Sequence, residues 1–326
     1  MVADYASAEV VQAVARGAHT GLSASRKTLP PWLPYDERGV ILSDEIARLP
    51  AHHANRTETD LLQHNAIEVL RMAAGYRPFT IVELGAGSAA KSGLLLGSLI
   101  RSQGSVLYQP VDISRAALDF AEFDIASKIP GVVSRPRVAN LIKDSYQIKR
   151  WHGGRTLAIW ANSAIGTFSR PEAQDILLNL HSQLESGDSL LLCVDLVQDQ
   201  ETLMSTYDDR SGCHQALSRN ALERLNKVLG ANFEVEQFAH KVVWNRHEAL
   251  VEMHLRSVTT QGVTIPPVAS YPRLDLAFRT DETIQTKSSY KFTFATLASL
   301  LIWSGFTMKE TWHDCACSFA LALATA

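Results

Sequence analysis

Apolar positions in the first part of the chain recur at helical spacing. Residues 7–17 form one such run, and Leu29-Pro30-Pro31-Trp32-Leu33-Pro34 follows as a connector in which three prolines exclude helix and favour extended backbone. Beyond Gly39, residues Ile41, Leu42, Ile46 and Leu49 repeat the helical interval. The run TETDLLQHNAIEVLRMAA then places Leu61, Leu62, Ile67, Val69 and Leu70 on a helix, with Thr57 as its predicted cap and Gly75 near its end.

From residue 79 the texture changes to short, apolar, β-branched runs alternating with helical segments. FTIVELGAGS (79–88), VLYQPVDIS (106–114), TLAIWANS (156–163) and DSLLLCVDLV (188–197) read as strands, and the segments between them as helices. Strands joined by helical crossovers pair in parallel, so a doubly wound α/β sheet covered on both faces is predicted within 58–195. Residues 196–284 break the rhythm. Helical stretches at 200–209 and 216–230 lead into the alternating runs FEVEQFAHKVVW and ALVEMHLRSVTT, predicted antiparallel strands, and then into Ile265-Pro266-Pro267. This stretch reads as an inserted second α+β domain completed by residues 1–57. The tail resumes the first pattern with the helix FATLASLLIWSG and two closing strands, GFTMKETWHD and CSFALALAT, which the short HDCA connection allows to pair antiparallel. The first domain is therefore expected to combine 58–195 with 285–326.

Composition narrows the classes that this architecture could serve. The 326 residues are 46% hydrophobic and 20% charged, which fits a folded globular chain. A net charge of −3 supplies no basic field for a phosphate backbone, so a nucleic-acid partner is not expected. Cys193, Cys213, Cys315 and Cys317 lack CxxC spacing, which points to no metal site, no disulfide framework and a reducing, cytoplasmic setting. The N-terminal run carries Asp4 and Glu9 and lacks signal-peptide order, and no apolar stretch reaches the length of a bilayer span, so no membrane partner is expected. HExxH, P-loop and G-x-S-x-G motifs are absent from the sequence.

Candidate chemistry begins at Glu83-Leu84-Gly85-Ala86-Gly87-Ser88-Ala89-Ala90, which leaves a predicted strand, opens a helix and fits G-x-G-x-x-G/A. Absent side chains there let backbone approach a ligand. Asp112 ends the next strand, where an acid can accept both hydroxyls of an adenosine ribose. Two cofactor classes compete for this pattern. A nicotinamide enzyme would set a pyrophosphate on the helix N-terminus. S-adenosylmethionine (SAM) brings an amino-acid tail and a sulfonium, and Glu83, Lys91 and the closing hairpin suit it better. Plainer readings stand beside these: a tight turn for Gly85 and Gly87, a helix cap for Asp112, a solvated charge for Lys91, and for Asn140 either an adenine contact or a turn.

Several ordered motifs carry a resemblance. Tyr35-Asp36-x-x-Gly39, Leu49-Pro50 with Arg56-Thr57-Glu58, Glu83-Leu84-Gly85-x-Gly87 with Lys91, Ile165-Gly166, Asp195-Leu196-Val197, Tyr207-Asp208-Asp209 and Ile284-x-Thr286-x-x-Ser289-x-Lys291 occur in sequence. Together they resemble the histidine-specific α-N-methyltransferases of ergothioneine biosynthesis, a family that also includes fungal dimethylallyltryptophan N-methyltransferases. The resemblance, which runs from about residue 30 to the last residue, implies a Rossmann-like class I methyltransferase domain that binds SAM and a second domain closing over a small substrate. It implies cofactor contacts at Tyr35, Gly85, Gly87, Lys91, Asp112 and Asn140, with Asn162 and Ser163 lining the pocket. Asn140 stands where the family usually shows aspartate, and Asn162 where it shows glycine.

Departures concentrate on the substrate side. The asparagine that follows Ile-Gly in the histidine enzymes is Thr167 here, and the glutamate that holds the imidazole is Lys287. A tyrosine position is His53 and an aromatic position is Ser43, whereas Tyr207, Met253 and Ser289 are retained. An anion replaced by a cation reverses the sign offered to an imidazole, so free histidine is not the expected substrate. The expected acceptor is an amino-acid-derived metabolite, indole- or tryptophan-derived, methylated at nitrogen or at a ring carbon. His53 is the candidate base because neutral imidazole is available near pH 7, Tyr207 the candidate orienting group, and Trp32 with Tyr207 the aromatic contacts. Surface placement for His53, a salt bridge for Lys287 and core packing for the aromatics are the bland counterparts. A nicotinamide oxidoreductase and a catalytically silent SAM-binding module remain as functions of other classes.

Overall fold

The computed structural model describes residues 8–50, 52–75, 78–86 and 89–326. Three helices come first: α1 (Ala8–Leu22), α2 (Glu37–Arg48) and α3 (His53–Ala74). Alternation follows, with β1 (Phe79–Leu84), α4 (Ala90–Gln103), β2 (Val106–Asp112), α5 (Arg115–Lys128), β3 (Val132–Ser134), β4 (Arg137–Val138), β5 (Arg155–Trp160), α6 (Arg170–His181) and β6 (Ser189–Asp195). Next come α7 (Gln200–Tyr207), α8 (Cys213–Leu229), β7 (Phe238–Asn245), β8 (Leu250–Ser257), β9 (Gln261–Ile265), β10 (Leu274–Phe278) and β11 (Thr283–Tyr290). The series ends with α9 (Phe294–Trp303), β12 (Thr307–His313) and β13 (Phe319–Thr325).

These elements fall into two compact units, residues 52–199 with 290–326 and residues 1–51 with 200–289. The first, the sheet unit, orders its strands β3-β2-β1-β5-β6-β13-β12, with β4 also pairing β2. Pairing is parallel from β3 to β6, whereas β13 lies antiparallel between β6 and β12. The sheet follows from its sequence: β1 and β6 are buried at every position, as continuous apolar runs require when helices cover both faces. Leu62 and Val69 of α3 and Leu96 of α4 pack on Ile81 and Leu157 at one face. Ile176, Leu180, Leu297 and Leu301 pack on Val82 and Leu192 at the other.

The second, the insert unit, joins α1, α2, α7 and α8 to a three-stranded sheet β11-β8-β7 and the hairpin β9-β10. Its core gathers Val14, Leu22, Leu222, Leu225, Phe238, Phe278 and Ile284.

Several elements depart from the sequence reading. α1 runs to Leu22, and α3 opens at His53 rather than at Thr57, which lies inside its first turns. The junctions between units therefore fall a few residues from those expected. β3, β4, β9, β10 and β11 were not anticipated as strands; β11 in particular buries Thr286 and Ser289 beside Ile284, at positions that do not keep a period of two. No described helix is long and apolar enough to cross a membrane.

Candidate functional site

The C-terminal ends of β1, β2 and β5 meet at one edge of the sheet unit, where strand order reverses between β1 and β5. Ligands of open α/β sheets bind at such a reversal. Gly85 leaves β1 with φ of 71°, a left-handed conformation that glycine enters without strain. Among the described residues a Cβ built there would find only Trp160 Nε1 within 4 Å, at 3.9 Å, so those residues leave room for a ligand at this turn. The Trp160 indole N–H is buried and has no hydrogen-bond partner among the described residues. Gly87 lies outside the described residues.

Asp112 ends β2, and its carboxylate accepts the Ser114 N–H at 2.7 Å along with those of Ala86 and Ile113. Desolvation nevertheless pushes it up to about 6. Ser114, not Asp112, caps α5. Asn140 is committed to a turn: its Oδ1 accepts the Ile142 N–H at 3.0 Å and its own N–H donates to Asp144 at 2.8 Å.

Behind this edge lies a buried polar cluster. Glu83 is fully buried and takes a hydrogen bond from Tyr108; desolvation pushes it up to about 7. Lys91 is not a solvated charge. It is 4% exposed, donates to the Asn55 carbonyl and the Thr59 hydroxyl, and lies 3.6 Å from Glu58. Burial lowers its pKa and raises that of Glu58, each opposed by the charge of the other. Glu58 in turn accepts the Asn162 N–H at 2.8 Å. Ser163 accepts the Asp195 N–H at 2.9 Å, and the Asp195 carboxylate pairs with the buried ammonium of Lys291. Thr167 spends its hydroxyl on the Ala164 carbonyl at the end of a short 3-10 turn.

His53 is exposed at the start of α3, and its Nδ1 accepts from Arg56 at 2.9 Å. That contact occupies the ring's lone pair, so the expectation that His53 acts as a base is not carried by the geometry.

The remaining candidates belong to the insert unit. Lys287 on β11 donates to the Tyr35 hydroxyl at 2.7 Å, and the Tyr207 hydroxyl meets Ser289 at 2.8 Å. Met253 is buried with Tyr207, Leu203, Val242 and Val251. Ser43 is half-buried on α2. Trp32 packs against the insert core beneath Arg224, 5.8 Å from its ring, which favours a packing role. Asp209, the last residue of the Tyr207-Asp208-Asp209 motif, pairs with a residue that sequence reasoning missed, His214. His214 Nδ1 lies 2.7 Å from Asp209, and its ring meets Tyr207 edge-on at 5.5 Å. Desolvation lowers His214 to about 4, leaving a neutral imidazole. Against its own desolvation, hydrogen bonds from Ser211 and from the His214 and Cys213 backbone hold Asp209 well below the usual carboxylate range. The hint to His214 in the sequence is its place five residues after the Asp209 of that motif.

Comparison with known proteins gives a consistent result. Residues 14–326 match the family described as histidine-specific methyltransferase, SAM-dependent. The histidine N-alpha-methyltransferase of Mycolicibacterium smegmatis is 32% identical, over 99% of this chain and 98% of that protein. Its counterpart from Mycobacterium tuberculosis is 33% identical, over 96% and 94%. The 4-dimethylallyltryptophan N-methyltransferase of Claviceps purpurea is 25% identical, over 92% and 91%. The sheet is a doubly wound α/β sheet closed by an antiparallel hairpin, and the Gly85 turn, the Trp160 N–H without a described partner and Asp112 suit an adenosine-borne cofactor. The chain belongs to the histidine-specific methyltransferase family and is a SAM-dependent methyltransferase.

Proposed function

We propose that this enzyme methylates a nitrogen of a small amino-acid-derived acceptor other than free histidine, with indole-bearing compounds as the leading class. In this reading the sheet unit holds SAM through Gly85, Asp112 and the turn at Asn162 and Ser163. The insert unit recognises the acceptor through Tyr207, Met253, Lys287 and Ser289. SAM supplies an activated methyl group, so the protein's task is to orient the acceptor lone pair and exclude water.

One observation carries the substrate argument: Lys287, tied to Tyr35 at 2.7 Å, stands where the resemblance leads one to expect a glutamate. An ammonium at that position repels a protonated ring, and a partly desolvated site magnifies the penalty. Neutral His214, Tyr207 and Met253 add an apolar, aromatic surround suited to an uncharged ring. The identity to histidine N-alpha-methyltransferases favours a second reading, α-N-methylation of histidine itself.

Methyl transfer from labelled SAM to histidine, tryptophan, other indolic amines and tryptophan-containing cyclic dipeptides separates the two. Label on indolic nitrogen, with none on histidine, is the expected result. Transfer confined to histidine overturns the substrate assignment, and label on a ring carbon overturns the choice of nitrogen.

A further inference from the structure

The turn after β5 places two consecutive residues, Asn162 (φ 59°) and Ser163 (φ 49°), in the left-handed region. Neither is glycine. Backbone of this kind persists only where its surroundings hold it, and it concentrates at functional sites.

Two part-buried ties hold this turn. α3 supplies the first: Glu58, 1% exposed, accepts the Asn162 N–H through Oε1 at 2.8 Å, while Oε2 faces the Lys91 ammonium at 3.6 Å. The second is the Ser163 hydroxyl, which accepts the N–H of Asp195, itself paired with buried Lys291. A buried ion pair is weak as a device for stability alone, since apolar residues of similar volume often serve as well. Here one carboxylate oxygen is committed to a strained backbone N–H instead.

Position gives the turn its purpose. β2 and β5 flank β1 on opposite sides. A cofactor whose ribose is held by Asp112 at the end of β2 has its amino-acid half left for the β5 side of Gly85.

We propose that Glu58 is a positioning residue: by holding the Asn162 N–H it locks the left-handed turn that supports the amino-acid half of the cofactor. The inference concerns cofactor binding and stands apart from the identity of the acceptor.

Equilibrium binding of S-adenosylhomocysteine and of 5′-methylthioadenosine, which lacks the amino-acid half, tests it on the full chain. Glu58→Gln and Glu58→Met remove the same charge, but only glutamine keeps an acceptor for the Asn162 N–H. Glu58→Met is expected to weaken S-adenosylhomocysteine by about tenfold and 5′-methylthioadenosine by less than about threefold, with Glu58→Gln within about threefold of the native chain for both. Asn162→Gly and Asn162→Ala form a second pair that does not depend on Glu58 variants folding. Both lose the amide side chain, but only glycine enters the left-handed region freely, so the glycine variant should bind S-adenosylhomocysteine about threefold or more tighter than the alanine variant. Equal losses of the two ligands in Glu58→Met, no loss at all, a glutamine variant as weak as the methionine one, or alanine matching glycine at Asn162 would each overturn the proposal.

Discussion

Glu83 carries a titration that the fold must bear. Its carboxyl moves from an ordinary value near 4.5 to about 7 because burial disfavours the charged form. The native state thus binds this proton more tightly than the unfolded chain. The stability linked to it is fully present below about pH 4.5 and lost as pH rises through about 7, a swing of about 3 kcal/mol. Glu83→Gln keeps an acceptor for Tyr108 and cannot ionise. Its thermal midpoint should match the native chain near pH 5 and exceed it near pH 8, and a difference that does not vary with pH would refute the account. At this scale the sequence was legible for Gly85 and Asp112, whose motif positions coincide with strand ends. It was not legible for Lys91, because the groups that compensate its charge come from α3, and no local pattern announces them. His53 is exposed with its ring nitrogen bonded to Arg56, the surface placement that stood beside the catalytic reading.

Secondary elements show the same division between periodic and non-periodic signals. The parallel strands and the closing hairpin were readable because apolar runs and their spacing state both type and order. β11 was hidden because its buried positions include two polar residues on opposite faces, Thr286, bonded to the Met253 carbonyl, and Ser289, bonded to Tyr207. Polar residues that satisfy themselves internally erase the period-2 signal. The short turn after β5 offers a test of close packing at this scale. A Cβ on Gly166 would come within 2.7 Å of the Tyr290 carbonyl oxygen, which is backbone and cannot rotate away. Gly166→Ala should therefore cost about 1–3 kcal/mol, read as a lowered thermal midpoint. An unchanged midpoint would mean that the turn yields more readily than its ties suggest.

Across the whole molecule, each unit has a core of its own, and both are built from segments far apart in sequence. Val14 on α1 is fully buried against the insert core. Val14→Asp places an unpaired charge there, a change of roughly 4 kcal/mol or more. Hydrogen exchange should then report lost protection in α8, β7 and β8 while β1 and β2 keep theirs; loss of protection in both sets would show one cooperative unit instead of two.

The antiparallel strand β13 has a consequence for how the chain is made. It sits between β6 and β12, yet residues 196–306 separate β6 from that hairpin along the chain. During translation, at about 5–20 residues per second, β6 leaves the ribosome several seconds before its neighbour exists. For that interval the nascent sheet presents Leu190, Leu191 and Leu192 on an open edge, the kind of surface that chaperones shield and that invites aggregation.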